Sequence, residues 1–264
     1  MTSYQNQTSW APDGDGQWTH TLDPSWAQGR ATFGGVVTGA ALKAMRTLVG
    51  QERLPRAAQT QFYGPVGPAP VTLRAEVVRA GRALTAVEAH VYQGGKRRAS
   101  VQASFGAARD SGLVVVPPPH PQMLPAEDTI ELPFLPGVTP AFTQHFAYRW
   151  EGGRYPFSGA SEPVTSGWCK HRQPSDDPYV DIVGLLDAWP APLLTMADRP
   201  VPASTVSWTA SFVDVSTSAA DGWWYFRADP VHSARGYATT RGHLYAPDGR
   251  LAAHMEQLVV IFDR

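Results

Sequence analysis

An α+β fold built twice over, each time as a helix followed by an antiparallel meander, is what this sequence predicts. Three observations carry the prediction. Apolar or small residues at 36, 37, 40, 41, 44, 45 and 48 recur with helical spacing. Alternating, strand-like runs follow that helix, and a second helix is followed by such runs again. The two meanders also share residues in the same order. Arg82, His90 and Tyr92 in the first are matched, at the same spacing, by Arg235, His243 and Tyr245 in the second. A glycine turn follows each, Gly94-Gly95 and Asp248-Gly249.

The elements follow in order. Residues 1–30 are polar and dotted with Trp10, Trp18 and Trp26, and read as loop or short strand. The first helix is expected from Gly35 to Val49. Its slim residues (Val36, Val37, Gly39, Ala40, Ala41, Ala44) let another backbone come close, and Lys43 and Arg46 form a thin polar edge. Strands are expected at Gln59–Tyr63, Val71–Val78, Ala83–Gln93 and Ala99–Phe105. Residues 106–140 hold no sustained period, and Val114–Pro121 is proline-rich, extended and stiff. This divides the chain into an N-terminal repeat (1–110), a connector (111–140) and a C-terminal repeat (141–264).

In the second repeat, strands are expected at His145–Trp150 and Pro163–Lys170. Asp177-Pro178 then opens a helix, with an acid at the cap and proline at the first helical position. Val180, Ile182, Val183, Leu185, Leu186 and Trp189 give it an apolar face. Pro190 and Pro192 end or kink it, and Leu193–Ala197 resumes it briefly before Asp198. Strands are expected at Thr205–Val213, Trp223–Arg227, Tyr237–Tyr245 and Leu251–Phe262. Gln102 and Gln257 read as matched residues on the last strand of each repeat. A long central helix wrapped by an antiparallel sheet is the hotdog arrangement. Two of them make a double hotdog, a single chain that imitates a dimer, with ligand clefts between its halves.

Composition narrows the chemistry. A net charge of −1 gives no bulk attraction to nucleic acid or to a membrane surface. The single cysteine, Cys169, allows no internal disulfide. Met1 to Gly29 has no apolar core, so no secretory leader is expected, and a cytoplasmic protein is the expectation. No apolar run is long enough to span a bilayer. There is no Gly-x-Ser-x-Gly elbow, phosphate-binding glycine loop, His-Glu-x-x-His or cysteine pair, so no metal site and no cofactor is expected.

Two glycine-bearing segments, Phe33-Gly-Gly-Val-Val-Thr-Gly-Ala-Ala-Leu-Lys-Ala44 and Ala57-Ala-Gln-Thr-Gln-Phe-Tyr-Gly-Pro65, together resemble the opening of the acyl-CoA thioesterase II type, a double-hotdog family. Gly94–Phe105 and Arg241–Ala253 are similar to the corresponding later segments. The resemblance spans about residues 30–105 and 140–262. It implies hydrolysis of an acyl-CoA by a catalytic trio: an Asp after the second helix, a Thr opening the next strand and a Gln on the last strand. Carried over, these fall on Asp198, Thr205 and Gln257. The strand after Thr205 reads Val206-Ser-Trp-Thr-Ala and departs from the family's pattern, so Ser204, Ser207 and Thr209 stand as alternatives to Thr205.

The chemistry suits these residue types. Asp198 would deprotonate a water, Thr205 and Gln257 would orient it, and a backbone N–H near Gly34-Gly35 or Tyr179-Val180 would stabilise the oxyanion. Lys96, Arg97 and Arg98 flank a turn and read as a solvated face that could also meet coenzyme A phosphates. A non-catalytic acyl-CoA-binding or assembly module is the alternative. A hotdog dehydratase ranks last, because residues 34–49 hold no His or acid. Hotdog units commonly associate further, so a homo-oligomer is an expectation.

Overall fold

Two helices meet at the centre of the molecule, and their glycines set how closely. The computed structural model describes residues 2–115, 123–215 and 222–263. Helix α1 is Tyr4–Thr8. Strand β1 is Gln17–Thr21. Helix α2 is Gly34–Arg46, and β2 (Leu54–Phe62), β3 (Pro70–Ala80), β4 (Thr85–Gln93) and β5 (Lys96–Gly106) follow it. The second half opens with β6 (Phe146–Gly153) and β7 (Thr165–His171) before helix α3 (Pro178–Asp187). It closes with β8 (Ala203–Phe212), β9 (Trp224–Ala234), β10 (Tyr237–Tyr245) and β11 (Leu251–Ile261).

The strands form one thirteen-stranded sheet in the order β1-β3-β4-β5-β2-β8-β11-β10-β9-β7-β6, with short edge strands at Ala11–Pro12 and Ile130–Leu132. Among the described residues every pairing within it is antiparallel. Outward from the central β2–β8 pair, 2-5-4-3 on one side mirrors 8-11-10-9 on the other. At that centre Trp208 lies opposite Thr60, and Ala210 opposite Ala58. Helix α2 packs on β3, β4 and β5, and α3 packs on β7, β8, β10 and β11. The duplicated helix-plus-meander plan is thus present in the topology.

Backbones touch where α2 crosses α3. A Cβ on Gly35 would lie 3.2 Å from the Gly184 Cα, and one on Gly39 3.2 Å from Val180 Cγ1. The Tyr4 hydroxyl lies between the helices, 2.9 Å from the Gly35 carbonyl and 3.1 Å from the Val180 carbonyl. At the helix ends Lys43 pairs with Asp176 and Arg46 with Asp177. These cations also offset the negative end of the α2 dipole.

Several expectations change. Helices α2 and α3 have 13 and 10 residues, and α2 stops short of Val49. Leu193–Ala197 does not resume α3: Pro192–Thr195 is a 3-10 turn, because prolines 190 and 192 supply no amide for an α-helical bond. Residues 4–8 are helical although polar, since five residues are too few to show a period; the Ser3 side chain caps them. The N-terminal arm packs into the fold. Tyr4 and Trp26 are buried, and Trp26 stacks on His145 of the second half at 4.0 Å. The proline run of the connector lies largely outside the described residues.

Candidate active site

Asp177 fixes where α3 begins. Its carboxylate accepts from the Tyr179 and Val180 amides at 3.0 and 3.4 Å, and Pro178 needs no partner. Those two amides are therefore occupied and do not face a ligand. Ten residues later the helix ends at Asp187. Val180, Val183, Gly184 and Asp187 share one stripe of the helix, so the acid is carried inward with its apolar neighbours.

Asp187 meets the opening of α2. The Gly35 amide lies beside its carboxylate and favours the charged form. A Cβ on Gly34 would stand 2.8 Å from Asp187 Oδ2 and 3.2 Å from the Phe62 ring, so this approach requires glycine. Burial raises the Asp187 carboxyl to about 7, and the Gly35 amide pulls the other way. A carboxyl near neutrality is a capable proton acceptor at physiological pH.

The other two members come from paired strands. Gln257 on β11 donates through Nε2 to Thr205 Oγ1 at 2.8 Å, and the same nitrogen lies 3.5 Å from Asp187 Oδ1. Thr205 reaches this face through a β-bulge. Thr205 pairs with Val259 and Ser207 with Leu258, leaving Val206 as the extra residue. Without it, Thr205 would share a face with Ser207 and Thr209. With it, Thr205 joins Trp208, which lies opposite Gln257, while Ser207 and Thr209 turn to the outer face. Ser204 is exposed.

The structure therefore brings Thr205 and Gln257 together, and the carboxylate beside them is Asp187. Asp198 is exposed in the turn after the 3-10 helix. It lines a shallow depression of about 380 Å³ with Met196, Ser233, Ile261 and Asp263. Among the described residues no hydrogen bond joins it to Thr205 or Gln257. The Gly34-Gly35 turn borders Asp187, with the Gly35 amide beside its carboxylate. Asp187 had a sequence signal: an acid on the buried stripe, in the last helical turn, where the dipole disfavours negative charge.

Strand register also revises the repeat. His90 lies opposite Ser100, and His243 opposite His254. Superposing these pairs matches Gln102 to Glu256 and Ala103 to Gln257, so Gln102 is not the counterpart of Gln257. Gln102 is exposed, while Ala103 is buried. The bulge at Val206 has its own counterpart at Arg56, which matches Pro55 to Thr205. The carbonyls shared by Tyr4 match Gly35 to Val180, and so Leu42 to Asp187. The first half thus presents Leu, Pro and Ala where the second presents Asp, Thr and Gln.

Among the described residues there is no group of three His, Cys, Asp or Glu side chains placed to hold a metal ion. Among them, too, no helix is long and apolar enough to cross a membrane.

Comparison with known proteins agrees with this architecture. The chain resembles, at 24% identity and a TM-score of 0.87, a protein of unknown function with the hot dog fold from Alicyclobacillus acidocaldarius, covering 99% of this chain and 98% of that one. It also resembles an acyl-CoA thioesterase II, TesB2, of Mycobacterium marinum (19% identity, TM-score 0.76, 98% of each chain). A tesB protein of Mycobacterium avium subsp. paratuberculosis is similar as well (17% identity, TM-score 0.81, 98% of each chain). These likenesses establish the hotdog fold. No curated protein matches. Residues 22–106 match the acyl-CoA thioesterase N-terminal domain and residues 118–261 the acyl-CoA thioesterase C-terminal domain. The chain therefore belongs to the acyl-CoA thioesterase family and is a thioester hydrolase.

Proposed function

We propose that this chain is a double hotdog that hydrolyses an acyl-CoA thioester at one site per chain, with Asp187, Thr205 and Gln257 as the catalytic residues. The two hotdog units are residues 1–110 and 141–264, joined by the connector. The observation that carries the reading is the Asp187–Gln257–Thr205 constellation, with a carboxyl raised to about 7. Asp187 replaces Asp198 in the acid's role.

A thioester carbonyl is already electrophilic, so water needs orientation and the loss of one proton. Gln257 donates to the Thr205 oxygen and so leaves the Thr205 hydroxyl hydrogen for the water. Asp187 accepts the water's proton as its oxygen bonds to the carbonyl carbon. The tetrahedral intermediate then collapses, the C–S bond breaks, and the proton on Asp187 passes to the departing thiolate. The products are the free acid and coenzyme A. The start of α2, whose Gly34 borders Asp187, supplies backbone donors for the oxyanion. Leu42, Pro55 and Ala103 offer no proton acceptor at the related position, which leaves one site.

The test is release of free thiol across a panel of acyl-CoAs of graded length and branching. The expected result is turnover of at least one class, with one acyl-CoA bound per chain at saturation. Tight binding without turnover anywhere in the panel would overturn the hydrolytic reading in favour of a non-catalytic acyl-CoA-binding module.

A further inference from the structure

We infer that the end of the β2–β5 strand pair, Tyr63 with Arg97 and Arg98, is the subsite for the phosphates of coenzyme A. The inference rests on the hydrolytic reading above and adds what holds the leaving group. The path is short. Gly34 touches both Asp187 and the Phe62 ring, and Phe62 is the last residue of β2. Tyr63 and Gly64 follow, about 7 Å further along extended chain. The Tyr63 amide donates to the Arg98 carbonyl at 2.8 Å, which ties the cationic strand to this rim.

Arg98 is placed by a bulge. Val91 pairs with Ala99 and Tyr92 with Arg97, so Arg98 is the extra residue, and its side chain leaves the regular alternation. Its guanidinium lies against Gly64, where a Cβ would be 3.1 Å from Nη1. Its Nε is buried and has no hydrogen-bond partner. A guanidinium held without an acceptor pairs well with a phosphate oxygen, which would meet its outer nitrogens beside Gly64. Arg97 covers the Tyr63 ring at 5.3 Å from its centroid, and that ring is 54% exposed. Among the described residues, Lys96, Arg97 and Arg98 form no ion pair with any carboxylate. Three adjacent cations held without an acid, beside an exposed aromatic face, suit a phosphorylated nucleotide. The opposite half has no such run at its matched hairpin, Ala246-Pro-Asp-Gly-Arg250.

The experiment compares one acyl group carried on coenzyme A, on 3′-dephospho-coenzyme A and on pantetheine. The proteins are the unmodified chain and its Arg98→Gln, Arg98→Lys and Arg79→Gln variants. In the unmodified chain kcat/KM is expected to be about tenfold to a hundredfold higher for the coenzyme A ester than for the pantetheine ester. Arg98→Gln should collapse that ratio through KM, Arg98→Lys should restore part of it, and Arg79→Gln, on a distant strand, should retain it. A ratio near one in the unmodified chain, or an Arg98→Gln variant that lowers both substrates equally, would overturn the subsite. An acyl carrier protein ester favoured over the coenzyme A ester, with the ratio indifferent to Arg98, would also overturn it. If no ester is hydrolysed, the hydrolytic reading fails; calorimetric titration with coenzyme A alone then decides the subsite, since Arg98→Gln must still weaken binding.

Discussion

Asp187→Asn is expected to lower kcat/KM for thiol release about a thousandfold, and Asp198→Asn to leave it within about twofold. Asparagine keeps the shape of the side chain and its contact with the Gly35 amide, but cannot take a proton from water. Asp198 is exposed and, among the described residues, is hydrogen-bonded to neither Thr205 nor Gln257. The Asp187→Asn substitution should also stabilise the fold at alkaline pH. The folded-state carboxyl is raised from 3.8 to about 7, chiefly by burial, so folding favours its protonated form. Its contribution to stability is fully present below 3.8 and is lost as pH rises through about 7. The asparagine side chain stays neutral throughout, so at pH 8 the variant should be more stable by about 1–2 kcal/mol. A variant that is inactive yet more stable at pH 8, and not at pH 4, separates a catalytic role from a structural one.

Gly184→Val carries the largest expected cost in stability. A Cβ at this position would lie 2.6 Å from the His171 ring and 2.9 Å from the Tyr4 hydroxyl and ring, with Gly35 across the helix interface. None of these is a flexible tip that can swing away. Tyr4 is held between the Gly35 and Val180 carbonyls, and His171 is hydrogen-bonded to the Asp181 carbonyl. Tyr4 and His171 must shift and give up these bonds, at a cost of about 3 kcal/mol. For a chain of this size that is roughly 6–12 °C in Tm, read by thermal unfolding followed by circular dichroism. Because Asp187 lies one turn further along the same helix, activity should fall with it. A Tm unmoved by valine would mean that Tyr4 and His171 do not close on Gly184.

Sequence pattern exposed the repeated units because a helix buried against a sheet needs a stripe of small residues, and Val36 to Ala44 supply one. Asp177-Pro178 marked the start of α3 to the residue, since a cap and a first-turn proline are local chemistry. The end of α3 was harder. Apolar residues on both sides of Pro190 extend the helical pattern and carry the expected carboxylate on to Asp198, whereas the chain turns into a 3-10 segment and the carboxylate beside Gln257 is that of Asp187. Thr205 could be named from family likeness but not oriented. Alternation alone groups it with Ser207 and Thr209, and a single bulge residue, Val206, reverses that face. The likeness of Gln102 to Gln257 failed for a related reason: a shift of one residue in register moves a side chain to the opposite face. Residue type survives in sequence, while bulges and registers are decided by pairing across the sheet.

The most direct measurement is the pH dependence of kcat/KM for thiol release, which reports the titration of the free enzyme's base. With Asp187 as that base, activity should climb with pH and level off above an apparent pKa of about 7. An acidic limb near the 3.8 of an ordinary carboxyl, or a profile indifferent to pH from about 5 to 9, would contradict the assignment.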